Sequence, residues 1–235
     1  MGDFSNIVMA SEKEVRFKPV KGYHRRNDAI VTHYNPPAIG SEDLYKMAVL
    51  PIPKNASSSM RNLVWMTTYH TKQNWSDPAH MIDLLEHWRY APIDDIIVIL
   101  RDPYERFLSA LNMFLSTRQW EGGCMKIDND QITILNEHFY SQSWYLEDVL
   151  TDNDIANKCR FFYMSNTDDI TRDICEKFPQ FYRQEGHTLN KDNASIKVVT
   201  DVDKELIERI YREDFDLIEN TEFLNSDRVT FNRDK

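Results

Sequence analysis

Cysteine and long apolar runs are both scarce in this chain of 235 residues. Three cysteines occur, Cys124, Cys159 and Cys175, and no two of them form a CxxC pair. This spacing argues against a disulfide scaffold, a zinc knot and a thioredoxin-type redox site, and it predicts reduced thiols in a cytoplasmic protein. The longest apolar run covers residues 96–100, far short of the ~20 residues of a membrane helix. We therefore expect no membrane association, and the first residues lack the pattern of a secretory signal.

Positive charge is also in deficit. The chain has 28 Lys and Arg against 38 Asp and Glu, for a net charge of −10. Nucleic-acid binding needs a broad basic face, so nucleic acid is not an expected partner. An acidic chain that binds a small anion must gather its few cations in one pocket. The hydrophobic share of 41% and the charged share of 28% are those of an ordinary globular domain.

Apolar runs typical of strands alternate with amphipathic runs typical of helices. Strands are predicted at 47–52, 96–100 and 160–164, and helices at 60–69, 78–89, from 103 onward, at 168–178 and at 203–219. This alternation predicts an α/β fold in three layers, with a central parallel sheet flanked by helices. We expect one domain, made of an N-terminal arm at 1–45 with at most short strands such as 29–33, a core at 46–118, a helical insert or lid at 119–158, and the C-terminal part of the core at 159–235.

A loop of small residues joins the first core strand to the first core helix. Backbone N–H groups at a helix start, together with serine hydroxyls and a lysine, suit a phosphate group. The same residues also suit a serine-rich helix start with a surface lysine. The loop consists of Pro53, Lys54, Asn55, Ala56, Ser57, Ser58, Ser59 and Met60.

A second segment suited to anions begins directly after the next core strand. Arg101 follows the strand, Ser109 comes eight residues later on a similar helix face, and Arg106 lies between them. A guanidinium offers a planar fork to phosphate oxygens. An Arg101–Asp102 turn ion pair with a solvated Arg106 is the structural alternative. Because ligands bind beyond the carboxyl ends of parallel strands, we expect both segments at one sheet edge.

Both segments resemble motifs of one enzyme family. Residues 53–59, PKNASSS, resemble the 5′-phosphosulfate loop of sulfotransferases, and residues 101–110, RDPYERFLSA, are similar to the family's 3′-phosphate motif R-[DE]-P-x-x-R-[FL]-x-S-[AG]. Lys54 and Arg101 are 47 residues apart, in the family's order. Weaker similarity to the carbohydrate-type branch covers residues 138–142, H-x-x-x-Q, and residues 211–215, Y-x-x-D-[FY].

The resemblance implies a P-loop-like fold and a soluble sulfotransferase of the kind found in bacteria or viruses. Such an enzyme moves a sulfuryl group from 3′-phosphoadenosine 5′-phosphosulfate (PAPS) to a hydroxyl or amine by in-line displacement and releases 3′-phosphoadenosine 5′-phosphate (PAP). It requires no metal, and its acceptor is a small molecule or a carbohydrate-like compound. By resemblance, Lys54 binds the 5′-phosphosulfate, Ser57 to Ser59 surround the 5′-phosphate, and Arg101 and Ser109 hold the 3′-phosphate.

The general base is expected between the two motifs, where related enzymes often place a histidine some twenty residues before the motif arginine. His80 lies 21 residues before Arg101 and is the first candidate. His87 and His70 are alternatives, and Glu86 suits an amine acceptor. A packing or surface role is open for each of these side chains.

Two other functions fit parts of the pattern. An ATP-dependent phosphoryl transferase on a P-loop-like sheet would need Mg²⁺. Its Walker A loop has glycines and a late lysine, whereas this loop has no glycine and has Lys54 near its start. A non-catalytic module that binds PAP is the other alternative.

Overall fold

The computed structural model describes residues 14–17, 28–34, 45–69, 82–117, 123–128, 131–179, 181 and 203–225. Its strands are β1 (Glu14–Phe17), β2 (Asp28–Tyr34), β3 (Tyr45–Leu50), β4 (Ile82–Asp83), β5 (Asp95–Leu100), β6 (Met125–Asp128), β7 (Gln131–Ile134) and β8 (Cys159–Tyr163). Its helices are α1 (Ser57–Tyr69), α2 (Leu84–Trp88), α3 (Pro103–Thr117), α4 (Gln142–Thr151), α5 (Asn153–Ala156), α6 (Thr167–Lys177), α7 (Lys204–Ile210) and α8 (Arg212–Glu219). A short 3₁₀ helix covers Glu137–Phe139. The fold is mixed α/β.

The main sheet has five strands in the order β4-β2-β3-β5-β8. The three core strands are parallel neighbours, as predicted, because β5 pairs in parallel with both β3 and β8. The remaining two strands make the sheet mixed, since β2 runs antiparallel to β3 and β4 runs antiparallel to β2. The predicted parallel sheet therefore describes the three core strands, while this edge is antiparallel. Only residues 35–44 join β2 to β3, and a parallel crossover needs a longer connection.

Each face of the main sheet carries its own apolar core. Alternate residues of β3 and β5 point to opposite faces, so Ala48 and Val98 join one core while Val49 and Ile97 join the other. Helices α3, α4 and α7 pack on the first face, and helices α1 and α6 pack on the second. Every residue of β5 is buried, which explains its continuous apolar sequence.

Two predicted helices differ from the structure. The helix predicted at 78–89 is replaced, over its described part, by β4 and the short helix α2, because the Asp83 side chain accepts the Glu86 N–H at 3.0 Å and starts the helix there. The helix predicted at 203–219 is divided at Tyr211, whose backbone leaves the helical region at φ −116° and ψ 28°. The Tyr211 hydroxyl donates to the Phe139 carbonyl at 2.7 Å, which fixes this break.

The segment predicted as a helical insert or lid also contains strands. Strands β6 and β7 pair antiparallel, and β7 pairs in parallel with β1 from the predicted N-terminal arm, forming a second sheet of three strands. The 3₁₀ helix, α4 and α5 complete the segment. Among the helices within the described ranges, none has the length and apolar character needed to cross a lipid bilayer.

The buried face of α4 is a test of this arrangement. Leu146 is 0% exposed in the first core, whereas Leu115 at the end of α3 is 41% exposed. We expect Leu146→Ala to lower the free energy of unfolding by about 2–5 kcal/mol, because truncation leaves a cavity, and Leu115→Ala to lower it by about 1 kcal/mol or less. Urea unfolding of both variants checks this expectation. Equal effects of the two substitutions would contradict the placement of α4.

Candidate functional site

The loop between β3 and α1 has an unusual backbone. Lys54 and Ala56 have positive φ values of 68° and 56°, which Asn55 between them does not share. Left-handed backbone is costly for residues other than glycine, and it persists only where surrounding contacts hold it. When left-handed residues alternate with others in this way, successive backbone N–H groups turn toward one concave side of the loop. This geometry binds anions.

Asn55 holds this strained loop in place. Its side chain is buried, and its Nδ2 donates to the Ile99 carbonyl at 2.7 Å and to Gln142 Oε1 at 2.5 Å. Its backbone N–H donates to the Ile52 carbonyl at 3.1 Å. The loop is therefore attached to the end of β5 and to the start of α4.

The start of α1 leaves backbone donors open. The Ala56 carbonyl accepts the Met60 N–H at 2.9 Å, so Ala56 is the residue at which the helix begins. The N–H groups of Ser57, Ser58 and Ser59 then have no acceptor within the helix. An alanine side chain has no oxygen with which to cap them, and the three serines are half-buried. This helix start therefore suits an external anion.

Lys54 is a half-buried cation with other positive charges nearby. Its Nζ donates to Met113 Sδ at 3.5 Å. Burial, followed by the positive charges of Arg101 and Arg106, lowers the pKa of Lys54 to about 8. The side chain is charged at neutral pH, and a nearby negative ligand would stabilise that charge.

Arg101 and Arg106 bond directly to the Lys54 loop. Arg101 Nη1 donates to the Lys54 carbonyl at 3.2 Å, and its Nε pairs with Glu105 at 3.4 Å. Burial lowers the pKa of Arg101, although a guanidinium remains charged at any physiological pH. Arg106 Nε donates to the Pro53 carbonyl at 3.1 Å. The two segments expected at one sheet edge are thus joined by hydrogen bonds.

Arg106 is buried rather than solvated. Its side chain is 1% exposed, and its Nη2 has no hydrogen-bond partner among the atoms that the structure describes. A buried donor without a partner costs about 1–3 kcal/mol, and more when the group is charged. Such a group in a native protein points to a ligand or water that satisfies it.

The side chain of Gln142 connects the two anion segments, a role that its sequence position does not reveal. It is 0% exposed, and its Oε1 accepts both the Asn55 amide at 2.5 Å and the Arg101 N–H at 2.9 Å. Its Nε2 donates to the Arg101 carbonyl at 2.9 Å and to Asp214 Oδ2 at 3.4 Å. The weak H-x-x-x-Q similarity was the only signal in the sequence that included this residue.

Asp214 fixes the start of α4 and therefore fixes Gln142. The carboxylate is 0% exposed and accepts the Gln142 N–H at 2.9 Å and the Ser143 N–H at 2.8 Å. A carboxylate at a helix start is favoured by both hydrogen bonding and the helix dipole. The Y-x-x-D segment in α8 supplies this group, so both weakly similar segments meet at one point.

The structure describes two of the four predicted candidates for the general base, Glu86 and His87. His80 and His70 lie outside the described residues. Glu86 is exposed and His87 is half-buried on α2, which follows β4, and β2 separates β4 from the strand that leads to Lys54. Ser109 is half-buried in the second turn of α3.

A further histidine lies among the cations. His138 is half-buried in the 3₁₀ helix, with its Nδ1 at 3.1 Å from Asn136 Oδ1. Burial, followed by the positive charges of Lys54, Arg106 and Arg61, lowers the pKa of His138 to about 3. The imidazole is therefore neutral at physiological pH.

No family model matches the chain, and no curated protein and no solved structure matches it either. The resemblance to sulfotransferases is therefore carried by the sequence motifs alone, and it stays a prediction.

The substitution Gln142→Glu tests the two hydrogen bonds that the Gln142 Nε2 group donates. The carboxylate keeps the acceptor toward Asn55 but faces the Arg101 carbonyl and Asp214 with a second oxygen, so we expect a loss of about 2–3 kcal/mol in unfolding free energy at neutral pH. A protonated carboxyl donates again. Burial raises the pKa of the new group, so the penalty applies above that pKa and disappears as pH falls towards about 4.3.

Urea unfolding of wild type and variant across this pH range measures the difference. The matched control is Gln131→Glu, whose side chain lies beside the Arg16 guanidinium and can accept from it. A deficit in Gln142→Glu that does not change with pH would argue against the amide orientation described above.

Proposed function

We propose that this protein is a PAPS-dependent sulfotransferase with a P-loop-like three-layer fold. It would transfer a sulfuryl group from PAPS to a hydroxyl or amine and release PAP. The observation that carries the proposal is the direct bonding of the two anion segments, Arg101 to the Lys54 carbonyl and Arg106 to the Pro53 carbonyl.

The charges at this edge favour a ligand with several negative groups. Lys54, Arg101 and Arg106 are gathered in a protein whose net charge is −10, and the strongest charges acting on Lys54 are positive. Mutual repulsion and burial of cations are unfavourable until an anion neutralises them. PAPS carries a phosphosulfate at one end and a 3′-phosphate at the other, which suits two connected cationic segments.

Each part of the site has a role in the proposed transfer. The open N–H groups of Ser57 to Ser59 and the concave loop would bind the 5′-phosphate, and Arg101 with Ser109 would bind the 3′-phosphate. Lys54 would neutralise the charge that develops on the oxygen between phosphorus and sulfur as the sulfuryl group leaves. Positioning and electrostatic stabilisation of this kind supply most of the rate in such displacements.

The acceptor and the location of the protein are predicted from the sequence alone. A carbohydrate-like compound or a small molecule is the expected acceptor, since the weaker motifs resemble the carbohydrate-type branch. The cytoplasmic location expected from the three cysteines stays a prediction.

Calorimetric titration with PAP in EDTA tests the proposal directly. We expect PAP to bind in the micromolar range without a divalent metal, while ATP binds more weakly because it lacks the 3′-phosphate. The proposal fails if PAP does not bind and ATP binds only with Mg²⁺, since that result favours a phosphoryl transferase.

The lowered pKa of Lys54 predicts how PAP affinity depends on pH. Free Lys54 loses its proton near pH 8, and bound phosphate raises that pKa, so affinity is constant below about pH 8 and falls by up to about tenfold per unit above it. PAP contributes no such change, because its phosphates are fully ionised above about pH 7. In Lys54→Arg the cation cannot lose its proton, so the affinity should not change over the same range. An identical pH dependence in both proteins would remove Lys54 from the site.

Arg101 is expected to discriminate between nucleotides. Arg101→Ala should weaken PAP by about 10- to 100-fold through loss of a charge-assisted hydrogen bond, and weaken adenosine 5′-phosphate, which lacks the 3′-phosphate, by less than about threefold. Arg212→Ala, at an exposed arginine on α8, is the matched control. Equal weakening of both nucleotides by Arg101→Ala would contradict the assignment of this residue to the 3′-phosphate.

A further inference from the structure

The proposed transfer needs a group that accepts the proton of the acceptor hydroxyl. Such a base must lie near Lys54, must be unprotonated at physiological pH, and must have a fixed orientation. The described residues contain one histidine with these properties, His138, in the segment between β7 and α4. The inference below rests on the proposed function.

Side-chain hydrogen bonds hold the backbone at His138 and at both of its neighbours. The Asn136 side chain accepts the His138 N–H at 2.9 Å. The Tyr145 hydroxyl donates to the Glu137 carbonyl at 2.7 Å, and the Tyr211 hydroxyl donates to the Phe139 carbonyl at 2.7 Å. Three side chains, from the start of this 3₁₀ helix, from α4 and from the break between α7 and α8, therefore hold residues 137–139.

Packing places this segment beside the Lys54 loop. The ring of Phe139 packs edge-on against Phe107 of α3, with 5.3 Å between the ring centroids. Phe107 directly follows Arg106, and Arg106 Nε bonds to the carbonyl of Pro53, the residue before Lys54. Four residues after His138, Gln142 bonds to Asn55 on the other side of Lys54.

The Asn136 side chain also determines which ring nitrogen of His138 carries the proton. An amide oxygen can only accept a hydrogen bond, so the contact of 3.1 Å between Asn136 Oδ1 and His138 Nδ1 requires a proton on Nδ1. In a neutral imidazole, Nε2 then has the lone pair. The same Oδ1 accepts the His138 backbone N–H, which agrees with this amide orientation.

The groups around the ring keep it unprotonated. Lys54 approaches from the anion loop, Arg61 from α1 and Arg106 from α3, and together with burial these charges hold the pKa of His138 at about 3. Its neighbour Glu137 is itself buried. A polyanionic nucleotide in the site would offset the three cations and raise the pKa of His138 from this low value toward its usual 6.5, which strengthens the ring as a base while it stays largely neutral.

We propose that His138 Nε2 is the general base of the transfer. As the acceptor oxygen forms its bond to sulfur, the hydroxyl proton moves to Nε2. The bond between sulfur and the bridging oxygen breaks, and its electron pair stays on the 5′-phosphate of PAP. Lys54 faces the leaving oxygen, and His138 faces the incoming one.

The experiment compares PAP binding with PAPS cleavage in His138→Asn. The asparagine amide replaces the Nδ1 donor toward Asn136 but has no counterpart of Nε2. PAP release from PAPS is followed with water, phenols and sugars as acceptors, and PAP affinity is measured by calorimetry. We expect cleavage to fall by about 100- to 10,000-fold while PAP affinity stays within about threefold of the wild type. The wild-type rate should fall on the acid side between about 3 and 6.5, and this decline should be missing in the variant.

The same measurements on His80→Asn, His70→Asn and His87→Asn complete the test. The inference is overturned if His138→Asn binds PAP and cleaves PAPS at the wild-type rate, or if one of the other three substitutions abolishes cleavage and His138→Asn does not. In both cases the proposed function stands. Absence of PAP binding in the wild type would instead overturn the proposed function, and this inference with it.

Discussion

The hydrogen bonds of the buried Gln142 amide determine the geometry of the site. The two anion segments follow neighbouring parallel strands, which sets them at one edge but does not set their separation. Gln142 does so, because one side chain bonds to Asn55 in the first segment and to both backbone groups of Arg101 in the second. Asp214 bonds to the same amide and to the helix start that carries it. In a medium of low dielectric each of these bonds strengthens the others, and the loss of one member leaves several polar groups unsatisfied.

This rigidity has a consequence for stability. The site contains left-handed backbone at Lys54 and Ala56, a lysine with a lowered pKa, and an arginine with a buried donor that has no partner among the described atoms. Each of these features is unfavourable in the free protein. The proposed anion would neutralise the lysine and satisfy the buried donor, but it would not remove the cost of the left-handed backbone. The surrounding fold must therefore supply the energy that keeps the loop in this state. The two apolar cores on either side of β3 and β5 contribute to it, since the loop follows residues 47–50 of β3, which are all buried.

Local patterns in the sequence predicted much of the core but not its edges. The strands that became β3, β5 and β8 and the helices that became α1, α3 and α6 follow from runs of apolar residues and helical spacing. The antiparallel pairing of β2, the short helix α2 and the break at Tyr211 do not, since they depend on connection length or on one distant hydrogen bond. The Gln142 contacts join residues that are even farther apart in the sequence, by 41, 72 and 87 positions. The two weak motifs include Gln142 and Asp214, but they do not predict that these two side chains are in contact.

Two histidines are candidates for the base on different grounds, His80 by its spacing along the chain and His138 by its place in the fold. Counting residues back from Arg101 leads to His80, because sulfotransferases often have a histidine at this spacing. The position of a base relative to the leaving oxygen, however, is set by contacts across the fold. His138 lies four residues before Gln142, so the contact that fixes the spacing of the anion segments also holds the segment that carries the imidazole. Base, lysine and phosphate donors would then move together as one unit, and an acceptor would meet an already aligned site rather than one assembled on binding.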